Sequence, residues 1–383
     1  MAILIGMGEK MAERFLPIYL IALGGSVLTI GILNGMDNLL SALYSYLGGY
    51  LSDRFGVKRS LLMFNIVAII GFLVVIIIPK WQAVLVGAIF FLSWTAISLP
   101  ATLSLISKVL PMNKRTMGVT MHSLVRRIPM ALGPILGGLC IGMWGELNGV
   151  RIAFVFAIIF GIVAIILQMA LLDDQAQGSV DVTKKDNAEK NPFKLFKYMD
   201  KTLRQLLISD ILVRFCEQIP YAFVVIWCMK VISTPVSAFQ FGILTSVEMV
   251  TAMLIYIPVA YLADKGNKKP FVVITFGFFT LFPLILMYTQ SFTFLIIAFI
   301  IRGLKEFGEP TRKSLIMEIS PEHCKAGMFG LYYLMRDIVV SIAAFGGAIL
   351  WQISPNTNLI TAFLFGFAGT VIFMIWGKDH VRN

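Results

Sequence analysis

The sequence predicts an all-α membrane protein with twelve transmembrane helices, arranged as two pseudo-symmetric bundles of six. Three observations carry this prediction: the composition, the length of the hydrophobic runs and an internal repeat. Hydrophobic residues make up 58% of the 383 residues and charged residues only 14%, whereas a soluble protein has about 25% charged residues. The hydrophobic runs are continuous rather than alternating, which excludes a transmembrane β-barrel.

The twelve hydrophobic runs have roughly 20 to 28 residues each, which is enough to cross a bilayer. The first six lie near 2–22, 26–51, 60–79, 82–109, 115–143 and 150–172. The second six lie near 203–229, 236–263, 269–289, 292–319, 326–353 and 357–377. A polar stretch separates the two sets, so the predicted domains are a bundle at 1–172, a cytoplasmic linker at 173–202 and a bundle at 203–383.

The connections between the spans differ in charge, and this difference predicts the orientation. Basic residues are concentrated in the even-to-odd connections, which contain Arg54, Lys58, Arg59, Lys108, Lys114, Arg115, Lys184, Lys185, Lys190, Lys194, Lys197, Lys201, Arg204, Lys265, Lys268 and Lys269. The opposite connections carry only Lys80, Arg151 and Lys230. Because basic loops stay on the cytoplasmic side, both termini are predicted to be cytoplasmic, in a bacterial cytoplasmic (inner) membrane. The net charge of +11 is therefore a topology signal and does not indicate binding to nucleic acid.

The sequence offers no sign of a cofactor. Its four cysteines, Cys140, Cys216, Cys228 and Cys324, lack CxxC spacing, so we expect neither a disulfide framework nor a metal site. We expect no cleavable signal peptide, because charges at Glu9 and Lys10 interrupt the first hydrophobic run. The natural start of the chain stays open, and a monomer is the working expectation.

The two halves of the chain repeat each other. A shift of 210 residues superposes Pro100 on Pro310, Ser104 on Ser314, Arg126 on Arg336 and Gly137 on Gly347. A shift of 211 superposes Asp37 on Glu248 and Asp53-Arg54 on Asp264-Lys265. Spans 1 and 7 share a Lys10-x-x-Glu13 or Arg214-x-x-Glu217 pair that is followed by a proline, Pro17 or Pro220. Parallel repeats of six helices with a site at the midplane between them are a common transporter layout.

Two motifs carry a resemblance to a known family. The loop from Gly49 to Arg59, GYLSDRFGVKR, resembles the signature loop of the major facilitator superfamily, although Val57 stands where a basic residue is usual. The stretch from Tyr261 to Lys269 is a degraded copy of that loop. Gly133-Pro134-Ile-Leu-Gly137-Gly138 resembles the core of the motif found in the antiporters of this superfamily. The fourth span lacks the arginine that the resemblance would imply for a proton-driven drug exporter.

The charged residues within the spans follow the layout that this resemblance implies. Spans 3, 6, 9 and 12, which lie outermost in that fold, have no charged residue in their central portions. Ionisable residues inside a membrane are functional candidates. The candidate substrate-binding residues are Glu13, Arg14, Arg126, Arg214, Glu217, Arg302, Lys305, Glu306, Glu309 and Arg336.

The tenth span is the most highly charged. Its six ionisable side chains fall within a stripe about 120° wide, and they are residues 302, 305, 306, 309, 312 and 313. At roughly 3 kcal/mol each they cost about 18 kcal/mol in lipid, while the Leu, Ile and Phe residues of the span return only about 6 kcal/mol. The stripe must therefore face protein or water. The contribution of Arg312 and Lys313 to this cost should be discounted, because they fall near one membrane face.

A purely structural interpretation competes with substrate binding. The spacing allows Asp210–Arg214–Glu217, Arg302–Glu306, Lys305–Glu309 and Glu309–Lys313 to pair within their own helices. Such pairs can hold helices together without touching a substrate. Asp37 and Glu248 differ, since neither has a basic residue three or four positions away. They are the candidate proton-coupling residues, unless they pair with a basic residue on another helix.

The loop motif and its copy supply a candidate gate. The resemblance implies that these residues hold the halves together on the cytoplasmic side in the outward-open state, and they are Asp53, Arg54, Lys58, Arg59, Asp264 and Lys265.

We therefore expect a secondary active transporter that moves a small polar, charged or zwitterionic organic solute by alternating access. Proton coupling is expected, and the Gly-Pro motif favours export by antiport. The alternative is a proton-coupled importer of a charged nutrient or a siderophore-like solute, and a remote alternative is a non-transporting membrane receptor. No HExxH, GxSxG or Cys/His pattern points to an enzyme.

Overall fold

The computed structural model describes residues 2–92, 98, 115–171, 196–263, 267–320 and 325–378. Within these residues the chain is helical and contains no β-strand. The helices are α1 (Ala2–Glu13), α2 (Leu16–Ala22), α3 (Val27–Phe55), α4 (Val57–Ile77), α5 (Trp81–Phe91), α6 (Arg115–Leu171), α7 (Lys201–Tyr221), α8 (Ala238–Ala263), α9 (Lys269–Tyr288), α10 (Phe292–Leu304), α11 (Glu309–Ile319), α12 (Lys325–Ile353) and α13 (Pro355–Trp376). The all-α prediction is confirmed.

Most helix bounds agree with the predicted spans to within a few residues. Six helices in the described part are long and apolar enough to cross a membrane, and α7 together with the helical segment Val224–Val231, bent by 45° from it, makes a seventh. One of the six is α6, which joins the predicted fifth and sixth spans. The helix is interrupted by a kink at Gly145, where a φ of 79° is in the left-handed region that glycine adopts most readily. The second half of the predicted fourth span, beyond 92, lies mostly outside the described residues.

The outward faces of the helices are apolar. The third, sixth and twelfth spans each carry large hydrophobic side chains at helical spacing that no other part of the described chain covers, such as Met63, Ile66 and Ile70 on α4 or Ile360, Leu364 and Phe367 on α13. A water-soluble protein rarely exposes apolar patches of this extent. The pattern is that of helices in contact with lipid.

The chain packs as two compact units. The first comprises Met1–Ser179 with Ala222–Met249, and the second comprises Val180–Tyr221 with Val250–Asn383. The boundaries predicted from the sequence, at 172 and 203, remain a prediction.

Small residues let the helices of the first unit approach closely. Gly8 of α1 lies against Ala157 of α6, where a Cβ on Gly8 would fall 2.7 Å from the Ala157 Cα. In the same unit Phe72, Phe91 and Phe154 join α4, α5 and α6, with ring centroids 5.1 to 5.5 Å apart. Small residues at such contacts are typical of membrane helices, which are packed by van der Waals contact.

In the second unit, α7 packs against α12 and α13. The side chain of Asn358, at the start of α13, donates hydrogen bonds to the carbonyl oxygens of Ile219 and Gly347, at 3.1 and 2.7 Å. One buried amide thus fixes three helices, because α7 and α12 present their carbonyls to it. This packing sets the positions of the ionisable side chains of α7.

Candidate functional site

One face of α7 carries three ionisable residues. Asp210, Arg214 and Glu217 lie four and three residues apart, which places them on the same side of the helix. Arg214 Nη1 donates to Glu217 Oε2 at 2.6 Å, and Arg214 Nε lies 3.9 Å from Asp210 Oδ1. The predicted pairing within this helix is confirmed.

The tenth span is broken at the residues that carry its charges. The sequence predicts one continuous span near 292–319, but α10 ends at Leu304 and α11 begins at Glu309. Pro310 lies in the first turn of α11, where its missing N–H leaves no hydrogen bond unmade. The N–H of Gly308, in the turn between the helices, donates to Thr275 Oγ1 at 2.5 Å. A break in a membrane helix is tolerated where protein groups satisfy the freed backbone.

Two residues at this break connect it to α7. Lys305 Nζ lies 2.9 Å from Glu217 Oε1, and Glu309 Oε2 lies 3.3 Å from Arg214 Nη2. The predicted pair between Lys305 and Glu309 is not formed, because the break removes the helical spacing that would bring them together. Among the described residues, the ion-pair partners of Glu309 are Arg214, Arg312 and Lys313. The last of these pairs, Lys313 Nζ to Glu309 Oε1 at 3.4 Å, is the one predicted within the helix.

Arg312 and Asp210 form the buried centre of the cluster. The Arg312 residue is 1% exposed and Asp210 is 0% exposed. Arg312 pairs with Asp210 through Nη1 and donates to Glu309 Oε2 through Nη2, at 2.6 Å. Arg312, which the sequence places near one membrane face and which is not among the candidate residues, is therefore at the centre of this cluster. The sequence feature that indicates an acidic partner for Arg312 is Asp210, which lies four residues before Arg214 on the same face of α7.

α12 closes the cluster around Asp210. The Tyr332 hydroxyl donates to Asp210 Oδ2 at 3.1 Å. Arg336 donates from Nε to Asp337 Oδ1 at 2.8 Å, and its Nη1 lies 3.7 Å from Asp210 Oδ2. The second unit thus brings together five of the predicted substrate-binding residues, Arg214, Glu217, Lys305, Glu309 and Arg336.

Arg302 and Glu306 lie beside this cluster. Arg302 is buried, and its guanidinium carbon lies 5.0, 5.5 and 5.8 Å from the ring centroids of Phe282, Phe299 and Tyr221. These are cation–π distances, so aromatic rings from three helices stabilise the Arg302 charge. Glu306 lies half-buried in the turn between α10 and α11.

The first unit contains a smaller group of charges at the end of α1. Lys10 pairs with Glu13 and, at 3.3 Å, with the buried carboxylate of Glu9. The predicted first span is broken just beyond, at Arg14 and Phe15, so that Arg14 lies half-buried between α1 and α2. Arg126 is half-buried on α6.

The two candidate proton-coupling residues are both in the first unit. Asp37 is half-buried on α3 and makes no ion pair with any residue in the described ranges. Glu248 is fully buried on α8.

The candidate gate is described only in part. The structure does not describe the side chain of Asp53. It also leaves out Asp264 and Lys265. Arg54 is exposed at the end of α3, where its guanidinium lies 5.4 Å from the ring centroid of Phe55. Lys58 is half-buried and Arg59 is exposed, in the first turn of α4.

The Gly-Pro motif lies at a close contact on two sides of α6. Gly133 lies against α1, where a Cβ would fall 2.9 Å from the Lys10 carbonyl carbon. On the other side Gly242 of α8 approaches the backbone of Pro134, and Ser246 Oγ donates to the carbonyl oxygen of Ala131. The motif therefore permits tight packing of three helices.

Comparison with known proteins identifies the family. The sequence profile described as Major Facilitator Superfamily matches residues 1–235 and 206–383. No curated protein sequence matches the chain.

Several solved structures share the fold at low sequence identity. A variant of the nucleoside transporter NupG superposes with a TM-score of 0.77 and 15% identity, covering 98% of this chain and 99% of that one. A POT family transporter in complex with 5-aminolevulinic acid superposes with a TM-score of 0.74 and 13% identity, covering 98% of this chain and 94% of that one. The peptide transporter POT in complex with sulfate gives a TM-score of 0.74 at 14% identity, covering 98% and 92%.

Proposed function

The chain belongs to the major facilitator superfamily, and we propose that it is a secondary active transporter that moves a small zwitterionic or otherwise charged organic solute by alternating access. Membership of this family makes it an integral membrane transporter and not an enzyme. The observation that carries the proposed solute class is the buried cluster of both signs around Asp210 and Glu217.

The charged groups of this cluster can exchange ion-pair partners with a solute. Three carboxylates, Asp210, Glu217 and Glu309, lie among four cations, Arg214, Lys305, Arg312 and Arg336. Breaking a buried ion pair leaves an uncompensated charge and costs about 3–5 kcal/mol. A solute that carries an amino and an acid group can replace the lost partner on each side, whereas a neutral lipophilic solute cannot. The solved POT family complex with 5-aminolevulinic acid, a zwitterion, supports the same class.

Proton coupling is assigned to Asp37 and Glu248. A carboxyl group without a cationic partner can gain and lose a proton as its surroundings alternate between dry and wet. Asp37 makes no ion pair in the described part of the chain, although Lys10 and Arg14 lie close enough to act on its charge. The Gly133-Pro134 motif favours export of the solute against proton entry, and uptake with protons is the second direction to be tested.

We place the protein in a bacterial cytoplasmic membrane as a monomer, with both termini in the cytoplasm. The support is the basic character of the even-to-odd connections. The candidate gate is proposed to hold the cytoplasmic side closed, and it consists of Asp53, Arg54, Lys58, Arg59, Asp264 and Lys265.

The test is solute flux in proteoliposomes. A thermal-shift screen of amino acids, short peptides and other small charged solutes first identifies a solute that stabilises the purified protein. We expect Glu217→Gln to lose both the thermal shift and counterflow, because Lys305 and Arg214 lose their shared carboxylate. We expect Asp37→Asn to retain counterflow but to lose accumulation driven by a pH gradient, and the sign of the gradient that drives accumulation gives the direction.

Lys201→Gln is the matched control, because Lys201 is an exposed residue at the start of the same helix as Glu217. It should transport as the wild type does. Flux that saturates but ignores the pH gradient would overturn proton coupling, while binding without any flux would favour the receptor alternative.

A further inference from the structure

The cluster around Asp210 contains donors that no acceptor satisfies. Arg214 Nε, Arg312 Nε, Arg336 Nη1 and the Tyr333 hydroxyl are buried and have no hydrogen-bond partner among the described residues. The three guanidinium groups converge on one carboxylate, since each has a nitrogen within 4 Å of an Asp210 oxygen. The centroid of the Tyr333 ring lies 4.2 Å from the guanidinium carbon of Arg336. The unmatched donors therefore belong to one place in the fold.

The acceptors in this place are already engaged. Asp210 Oδ1 pairs with Arg312, and Asp210 Oδ2 accepts the Tyr332 hydroxyl. Glu309 Oε2 accepts from Arg312 and Arg214 at 2.6 and 3.3 Å. A buried donor without an acceptor costs about 1–3 kcal/mol, and more when it is charged. The shortage is thus one of acceptors, and a group with several anionic oxygens would relieve it.

Besides Arg214, whose side chain is 19% exposed, Arg336 is the guanidinium of the cluster that a solute can reach. Its side chain is 11% exposed, and the Asp337 side chain that binds its Nε and Nη2 is 32% exposed. Asp210 and Arg312 behind it have almost no exposed surface. A guanidinium held on one edge by a carboxylate still offers donors on its other edge, in the planar geometry that suits carboxylate and phosphate oxygens.

Resting on the transport function proposed above, we propose that Arg336, Arg312 and Tyr333 form the subsite for the acid group of the transported solute. The solute class is thereby narrowed to molecules with a carboxylate or phosphate group. The acid oxygens accept from Arg336 Nη1 and from the Tyr333 hydroxyl, and the charge of Arg312 stabilises the anion. Lys305 and Glu217, at the other end of the cluster, then face the remaining part of the solute.

Two neighbouring tyrosines provide a matched pair of variants. The Tyr332 hydroxyl bonds to Asp210, whereas the Tyr333 hydroxyl has no partner in the described chain. Tyr332→Phe should therefore lower the melting temperature of the ligand-free protein. Tyr333→Phe should leave it unchanged or raise it, because a buried unsatisfied hydroxyl is removed.

Three probes of equal length test the subsite by thermal shift on the purified full chain. They are 5-aminopentanoate, pentanoate and 5-aminopentanamide, with sodium sulfate as a simple anion and sodium chloride at equal ionic strength as the control. We expect the two acids and sulfate to stabilise the wild type and the amide to have no effect. Tyr333→Phe should weaken binding of the acids about tenfold, Arg336→Gln should abolish it, and Arg336→Lys should restore it in part.

The results separate this proposal from the transport proposal. Stabilisation by the amide as strong as by the acids, no shift with any anion, or an unchanged shift in Arg336→Gln would overturn the acid subsite. Flux of a neutral or purely cationic solute in proteoliposomes would then still support transport. A loss of binding in Tyr333→Phe that is matched by an equal loss of ligand-free stability would mean a structural role only, and would also overturn the subsite.

Discussion

Arg312 is stabilised inside a membrane protein by the carboxylates that surround it. Its guanidinium group is shared by Asp210, on α7, and Glu309, at the start of its own helix. The contact with Asp210 is not visible in the sequence, because Asp210 is 102 positions away from Arg312. The sequence predicts that the charges of the tenth span must face protein or water. It does not predict the partner, which depends on how two distant helices dock.

Removing that guanidinium should be costly. We expect Arg312→Met to destabilise the protein by about 3–5 kcal/mol, because Asp210 is left as a buried charge without its main partner. The double variant Asp210→Asn/Arg312→Met should recover part of this loss, since no isolated charge then remains. Thermal unfolding in detergent measures both.

Lys313→Met is the control for the Arg312 experiment. The Lys313 side chain is 47% exposed, and exposed ion pairs contribute only about 0–1 kcal/mol. Equal melting temperatures for Arg312→Met and Lys313→Met would contradict the buried role of Arg312.

In the described parts of the chain, three of the predicted spans are interrupted as helices. The first breaks at residues 14–15, the seventh after Tyr221 and the tenth at 305–308. In the first and seventh spans the break lies close to the proline that follows the paired charges, Pro17 or Pro220. Hydropathy finds the spans because it depends on length and composition alone. It cannot find the breaks, because these depend on side chains elsewhere, such as Thr275 for the Gly308 N–H, that satisfy the freed backbone.

The glycines of α6 give a further prediction. A Cβ on Gly133 would fall 2.8 Å from the Lys10 Cβ and 2.9 Å from the Lys10 carbonyl carbon, so α1 would have to move. Gly142, on the same helix, has nothing within 4 Å of the corresponding position. We expect Gly133→Ala to lower the melting temperature and to reduce flux by weakening the contact with α1.

Gly142→Ala should be neutral or stabilising, since alanine is favoured over glycine in a helix by about 1 kcal/mol. The two variants make the same chemical change in one helix, so their difference isolates the contact with α1. If both variants melt at the same temperature, the close approach of α1 and α6 at Gly133 does not contribute to stability.

In the whole molecule, the sequence repeat and the charge distribution predict different properties. The repeat predicts the family, and the charge distribution predicts the orientation in the membrane. The repeat and the signature loop predict the family, which the match over both halves confirms. The compact units do not follow the repeat, because Ala222–Met249 groups with the first half of the chain. Sequence similarity between halves records how they are related, whereas compactness depends on which helices pack together. The two need not divide the chain at the same residue.

The orientation in the membrane is the prediction that the charge distribution makes on its own. Lys80 precedes α5 and Lys197 precedes α7, and both side chains are exposed. If basic connections remain in the cytoplasm, Lys197 lies inside the cell and Lys80 outside. In a variant without its native cysteines, a membrane-impermeant maleimide should label Lys80→Cys in intact bacterial cells. It should label Lys197→Cys only after permeabilisation. The two sites differ in location but share exposure, so the reverse pattern would place both termini outside and would reassign the side of the membrane on which the Arg54–Arg59 gate operates.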